Sequence, residues 1–393
     1  MPSSLRSVLS PLSLACALLL APVLAPGHAS AQTKPRPEPD FEKPPFAPKH
    51  TIVYRTPSRL TIDGKLDEAA WRAAEWSDAF VDIEGDFRPR PRFNTRMKML
   101  WDDEFLYIAA DLLEPDIWGT LTTRDAVIFQ DNDFEVFIDP DGDTHEYFEL
   151  EVNALKTAWD LLLPQPYRDG GSAIDGWDIA GLEVGVDIRG TLNKSGDKDE
   201  GWSVELALPW KILEETSAHK RAPRDGEQWR INFSRVEWHT DIVDGKYVKR
   251  TNPGTKKPLP EDNWVWSPQG AVNMHMPERW GVMQFSGLAA GAAGAKTAQF
   301  VEDPNERVKW ALRRLYYRQR KYRAEHQRYA GDLAALGAGD IRVEGLTFAP
   351  KVQATDSLYE ITADGFNGAV LHLRQDGKVW VTNANGNGSR NAR

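Results

Sequence analysis

The segment GWSVELALPW, residues 201–210, places Trp202, Val204, Leu206 and Leu208 in alternation with Ser203, Glu205 and Ala207. A repeat of two is the signature of an extended strand with one face in and one face out, and no helix satisfies it. WRINFSRVEW, residues 229–238, repeats the pattern with Trp229, Ile231 and Phe233 inward. RMKMLWDDEFLYIAADL, residues 96–112, reads as two strands joined at Asp102-Asp103-Glu104, and FEVFIDPDGDTHEYFELEV, residues 134–152, as a second pair around Pro140-Asp141-Gly142. Many short strands separated by turn signals predict a mainly β protein, an antiparallel β-sandwich of jelly-roll type. Residues 241–263 are polar with Gly and Pro and read as a long surface loop.

Tryptophan confines this fold to the middle of the chain, since thirteen of the fifteen lie between Trp71 and Trp280. Trp71, Trp101, Trp202, Trp210, Trp229 and Trp280 fall within the strand and short-helix patterns and are expected in the core. Trp118, Trp159, Trp177, Trp238 and Trp264 fall at strand ends or in loops, where a ring serves equally as core or as platform.

The flanks differ. Arg6, an apolar stretch from Leu12 to Leu24 and the small residues Ala29-Ser30-Ala31 read as a signal peptide over residues 1–31, cleaved before Gln32. Export to the periplasm or the medium is the expected localisation, and no later segment reaches the ~20 apolar residues of a membrane span. Cys16, the sole cysteine, lies inside that segment, so the mature chain has no disulfide or thiol chemistry. Residues 32–47 read as a Pro-rich linker, 48–287 as the sandwich and 288–301 as an Ala/Gly-rich linker. Residues 302–383 read as a small α+β module, and 384–393 as a disordered tail. In the module, Asp303-Pro304 with Glu306 starts a helix that ends near His326, and SLYEITADG and GAVLHLRQDGKVWVTN read as hairpin strands. Residues 303–329 carry nine Lys or Arg against three Asp or Glu, read as a solvated basic face.

A net charge of -10 argues against nucleic acid as the main partner, because phosphate neutralisation needs a basic face. No nucleophile elbow, HExxH or Gly-rich phosphate loop is present.

IDGKLDEAAW at 62–71, MLWDDEFLYIAADL at 99–112, DNDFEVFIDPDGD at 131–143, GWSVELALPW at 201–210 and ERWGVMQF at 278–285 together resemble family 9 carbohydrate-binding modules and their DOMON-type sandwich relatives. The resemblance implies a sandwich that binds sugar chains between two aromatic rings, carries structural calcium and works beside polysaccharide-degrading enzymes. By position along the matching strands, Phe129 stands for the first of those rings and Glu135 for a ligand-binding glutamate. Glu151 stands where the family has an arginine, with Asn153 following, and Met274-His275 stand where the second ring is expected. YYRQRKYRAEHQRYAGDLAAL, residues 316–336, loosely resembles the globular part of type IV pilin-like subunits, without their apolar N-terminal helix.

Flat rings against the C–H face of a pyranose, with a few polar groups for the hydroxyls, make a sugar site. The candidates are Phe129 and Trp159 as platforms, Glu135, Asn153 and Arg235 for hydroxyls, and Trp264 and His275 closing the other side. Asp139, Asp141 and Asp143 alternate around Gly142 and read either as a calcium site or as a solvated turn. Two other functions stay open. Glu135, Glu149 and Glu151 offer paired carboxylates for a glycoside hydrolase. Met274-His275-Met276 offer soft and imidazole ligands for b-type haem, although consecutive strand residues cannot all face one pocket.

Overall fold

A computed structural model describes residues 41–42, 44–292 and 298–383. The expected signal peptide, the first part of the Pro-rich linker and the expected tail lie outside the described residues. The first half of the strand set is β1 (His50–Arg55), β2 (Val81–Asp82), β3 (Thr95–Trp101), β4 (Phe105–Leu112), β5 (Asp133–Asp139), β6 (Tyr147–Asn153), β7 (Ala158–Leu163), β8 (Glu183–Arg189) and β9 (Gly201–Pro209). The second is β10 (Gln228–Glu237), β11 (Thr240–Val243), β12 (Lys246–Lys249), β13 (Asp262–Val265), β14 (Gly281–Ala289), β15 (Lys351–Ala354), β16 (Tyr359–Asp364), β17 (Ala369–Arg374) and β18 (Val379–Asn383). The helices are α1 (Ala69–Ala73), α2 (Trp210–Leu213) and α3 (Asn305–His326).

Strands β7-β6-β5-β10-β14-β1-β3-β4-β9-β8 form one continuous sheet, with β13 added beside β10 and β2 beside β13. Every pairing in it is antiparallel except those of β1, which runs parallel to both β14 and β3. The sheet is therefore two antiparallel leaves joined through β1, and it closes on itself as a β-sandwich. Met97, Leu106, Ile108, Val204 and Leu206 of one leaf share a single core with Phe134, Val136, Phe148, Leu150 and Phe233 of the other. The six tryptophans expected in the core are all buried.

The expectation of one solvated face fails for β9, where Ser203, Glu205 and Ala207 are buried as well. The cause is the segment IDGKLDEAAW, which covers that face. Glu205 Oε1 accepts the Trp71 indole N–H at 2.7 Å, and its Oε2 accepts the amides of Asp63 and Gly64 at 3.1 Å each. Gly64 has φ of 90°, and a Cβ there would stand 2.4 Å from the backbone of Val186. Burial raises the Glu205 carboxyl to about 7, against the lowering by these three donors.

The region 241–263 is not one loop, since it contains the hairpin β11–β12 and the start of β13. The C-terminal helix runs as expected, with Asp303 Oδ1 accepting the Asn305 amide at 2.9 Å. It packs on the sheet β15-β16-β17-β18 around Val308, Leu312, Leu315, Ile361 and Leu371, and Met276 from the preceding segment joins that core.

The basic helix is a solvated face only in part, at Arg307, Lys321 and Arg323. Arg314 and Arg318 bind Glu42 and Asp340, and Phe46 stacks on Trp310 at 4.3 Å. Buried ion pairs join this unit to the sandwich. Arg168 meets Glu278 at 2.8 Å, Glu278 also accepts the Tyr317 hydroxyl, and Glu306 lies against Arg230 and Lys309. Glu278 and Glu306 are pulled down to about 2 by these cations despite burial.

Two outcomes follow from this packing. Trp71→Ala removes a fully buried ring and strands Glu205, and should cost about 3–5 kcal/mol, read as a lower urea midpoint. Glu278→Ala leaves Arg168 buried without its partner and should cost about 3 kcal/mol. Because folding lowers the Glu278 and Glu306 carboxyls from 4.5 to about 2, their contribution is complete above pH 4.5 and is lost as pH falls from there toward 2. A near-UV circular dichroism titration should show that acid loss, with a smaller amplitude in Glu278→Gln.

Candidate functional site

The outward face of the leaf β7-β6-β5-β10 is where this sequence departs most from an ordinary sandwich. Phe134, Val136 and Ile138 of β5 enter the core, so Asp133, Glu135, Phe137 and Asp139 face outward. On β6, Phe148, Leu150 and Val152 enter the core, and Tyr147, Glu149, Glu151 and Asn153 face outward. Register sets Trp159 beside Glu151, Glu151 beside Glu135, and Glu135 beside Ser234 in one row across four strands.

This face is outward yet enclosed. Asp133, Glu135, Glu149 and Glu151 are 0%, 4%, 6% and 1% exposed, values at which an unpaired carboxylate is heavily penalised. Burial is the first cause that raises all four carboxyls, Glu135 to about 7, and their mutual repulsion adds to it for Asp133, Glu149 and Glu151. Phe129 and Trp159, both half-buried, stand over the row with ring centroids 6.5 Å apart and planes at 30°. The Phe129 amide donates to Glu151 Oε2 at 2.8 Å, which ties the ring-bearing turn to the acids. At the other end His275 packs against Phe137, Tyr147 and Tyr167, and its Nδ1 lies 3.0 Å from the Tyr147 hydroxyl. Burial, then Arg168, lowers His275 to about 4, so it is a neutral ring at pH 7.

Of the predicted sugar contacts, the structure brings Phe129, Trp159, Glu135 and His275 to this one face. Asn153 lies on it too, buried and spent on Asp131, Leu121 and the amides of Leu155 and Thr157. Arg235 and Trp264 are not there. Arg235 alternates with Ser234 and so turns to the opposite side of β10, with Trp264 directly across from it. It is fully buried, bound to Glu114 at 2.7 Å and Glu237 at 2.8 Å, with its guanidinium carbon 5.2 Å from the Trp264 ring centroid. Both hold the sandwich together from inside. Tyr167 and Ser234 belong to the outward face without having been singled out. The parity of β10 marks Ser234, whereas nothing local marks Tyr167.

The Asp139, Asp141 and Asp143 carboxylates converge, with one oxygen of each within 4.8 Å of the others. Hard oxygen donors at that spacing suit calcium in kind. Lys378 already lies 2.7 Å from Asp143, however, and Asp139 accepts the amides of Gly142 and Thr144. Asp141 is raised to about 9, by burial and then by its two neighbours. A haem does not fit Met274-His275-Met276. The Met274 sulfur accepts Gln269 Nε2 at 3.0 Å, Met276 is buried in the C-terminal core, and His275 is held by Tyr147. No helix among the described residues is long and apolar enough to cross a membrane.

An exoglucanase, XynX, from Acetivibrio thermocellus is 24% identical over 163 residues, 42% of this chain. An endo-1,4-beta-xylanase A from Thermoanaerobacterium saccharolyticum is 26% identical over the same length. This chain spans only 12% of either relative. Among solved structures, a family 9 carbohydrate-binding module from Caldicellulosiruptor kristjanssonii in complex with cellotriose aligns over 64% of this chain and 100% of its own, with 15% identity and a TM-score of 0.39. The family described as carbohydrate family 9 binding domain-like matches residues 62–285, more than half of the chain, and the protein belongs to that family.

Proposed function

We propose that the protein is exported and binds poly- or oligosaccharide, without cleaving it, on the outward face of β7-β6-β5-β10, in support of polysaccharide breakdown by a partner enzyme. The observation that carries this reading is the ring pair Phe129–Trp159, half-buried and 6.5 Å apart over a row of hydrogen-bonding carboxylates. Aromatic faces offer apolar area to sugar C–H groups at small entropic cost, and carboxylate oxygens accept from hydroxyls. Family membership supports the ligand class, and the N-terminal sequence supports export. The setting of the acids supports a role without catalysis. Hydrolysis needs one protonated and one ionised carboxyl placed across a bond, with water at hand. Here four neighbouring acids are enclosed together and raised by the same cause.

The test is calorimetric titration of residues 32–393 against a glycan panel. Binding to at least one glycan is expected, and Phe129→Ala/Trp159→Ala should weaken it at least about tenfold. No binding to any glycan contradicts the reading, and unchanged affinity in the double variant moves the site elsewhere. Reducing ends released by the wild type and abolished in Glu135→Gln would make the protein a hydrolase instead.

A further inference from the structure

Three groups of acids have oxygens close enough to share an ion, and their surroundings differ. Asp139, Asp141 and Asp143 are met by Lys378. Asp125, Asp160 and Asp178 are met by Arg124. Asp133, Glu135 and Glu151 are met by no cationic side chain at ion-pair distance among the described residues, although they are the most completely buried of the three groups. Glu149, also buried, adds a fourth carboxyl beside them.

Two further observations point to a missing partner. Asp133 Oδ2 and Glu135 Oε2 are enclosed with no hydrogen-bond partner among the described residues. Ser234 Oγ, from another strand and of another chemistry, is also enclosed, and register sets it directly beside Glu135 on the same face, where its hydroxyl lowers that carboxyl against the effect of burial. Buried polar atoms in native proteins are almost always satisfied, so the enclosed Asp133 and Glu135 oxygens call for a group that accepts oxygen donors. Oxygens within 4.8 Å of one another are the spacing that ligands around an ion with 2.3–2.6 Å bonds adopt.

We propose that Asp133, Glu135 and Glu151, with the Ser234 hydroxyl, hold a divalent cation of the calcium class beneath the Phe129–Trp159 rings. The ion converts a repelling acid row into a positive point that coordinates hydroxyl oxygens of the ligand above it. That second step rests on the carbohydrate reading, whereas the ion site does not.

The test is titration of chelator-stripped protein with calcium chloride alone, using wild type, Glu135→Gln/Glu151→Gln and Asp141→Asn. The wild type should bind calcium. The double variant should weaken one binding event at least about tenfold, and Asp141→Asn should retain that event. No binding by the wild type, or unchanged binding by the double variant, overturns the site, as does loss of the same event in Asp141→Asn. Should the double variant lack a cooperative melt, Glu135→Gln alone is read in the same way. A glycan found by the panel is then titrated with and without chelator. At least about tenfold weaker binding in chelator is expected, and equal affinity overturns the bridging role while leaving the calcium result to stand or fall by itself.

Discussion

An enclosed carboxylate is tolerated in a protein only when something answers its charge, and the placement of charge organises this molecule. Glu205 is answered by the Trp71 indole and two amides, which pins the segment 62–71 over β4 and β9. Glu278 and Glu306 are answered by Arg168, Arg230 and Lys309, which fastens the C-terminal helix to the sandwich. Asp143 is answered by Lys378 from the end of the C-terminal sheet. The row Asp133–Glu135–Glu149–Glu151 is met by the Val236 and Phe129 amides but by no cationic side chain at ion-pair distance among the described residues, and it lies beside the ring pair best shaped for a ligand.

The same logic separates the two ends of the outward face. Near Asp139 the acids have become a docking surface for α3 and β18, where Arg313 reaches Thr144 and Gly377 and the Val379 amide donates to the Asp143 carbonyl. Near Glu135 the acids remain beside Phe129 and Trp159, which stay half-exposed. The first arrangement spends its charge on holding the chain together. The second keeps it for a partner from outside.

Much of this was legible in the alternation. With Phe134 and Val136 inward, Glu135 had to face outward, and with Ile231 and Phe233 inward, Arg235 had to face inward. The same parity that turns one predicted contact outward therefore turns another into the core. Alternation gives the face of a strand but not what lies on top of it. The cover over β9 comes from a segment more than a hundred residues earlier, so Glu205 reads as solvated until Trp71 is placed. Arg314, Arg318 and Arg320 of the C-terminal segment read as solvated for the same reason, because their partners Glu42, Asp169 and Asp340 are distant or unpatterned in sequence. Met274, His275 and Met276 stand in a row yet meet three different surroundings, because they lie in an irregular segment between β13 and β14 rather than on a strand.

The most direct measurement of the central claim is the indole N–H region of a heteronuclear NMR spectrum, recorded while a bound oligosaccharide is titrated in. Trp159 lies beside Glu151 on the outward face, whereas Trp202 and Trp229 are sealed between the leaves. The Trp159 indole signal should move with saturation of the ligand while those of Trp202 and Trp229 stay in place. A Trp159 signal that stays fixed while the ligand saturates, with shifts confined to other tryptophans, would contradict that claim.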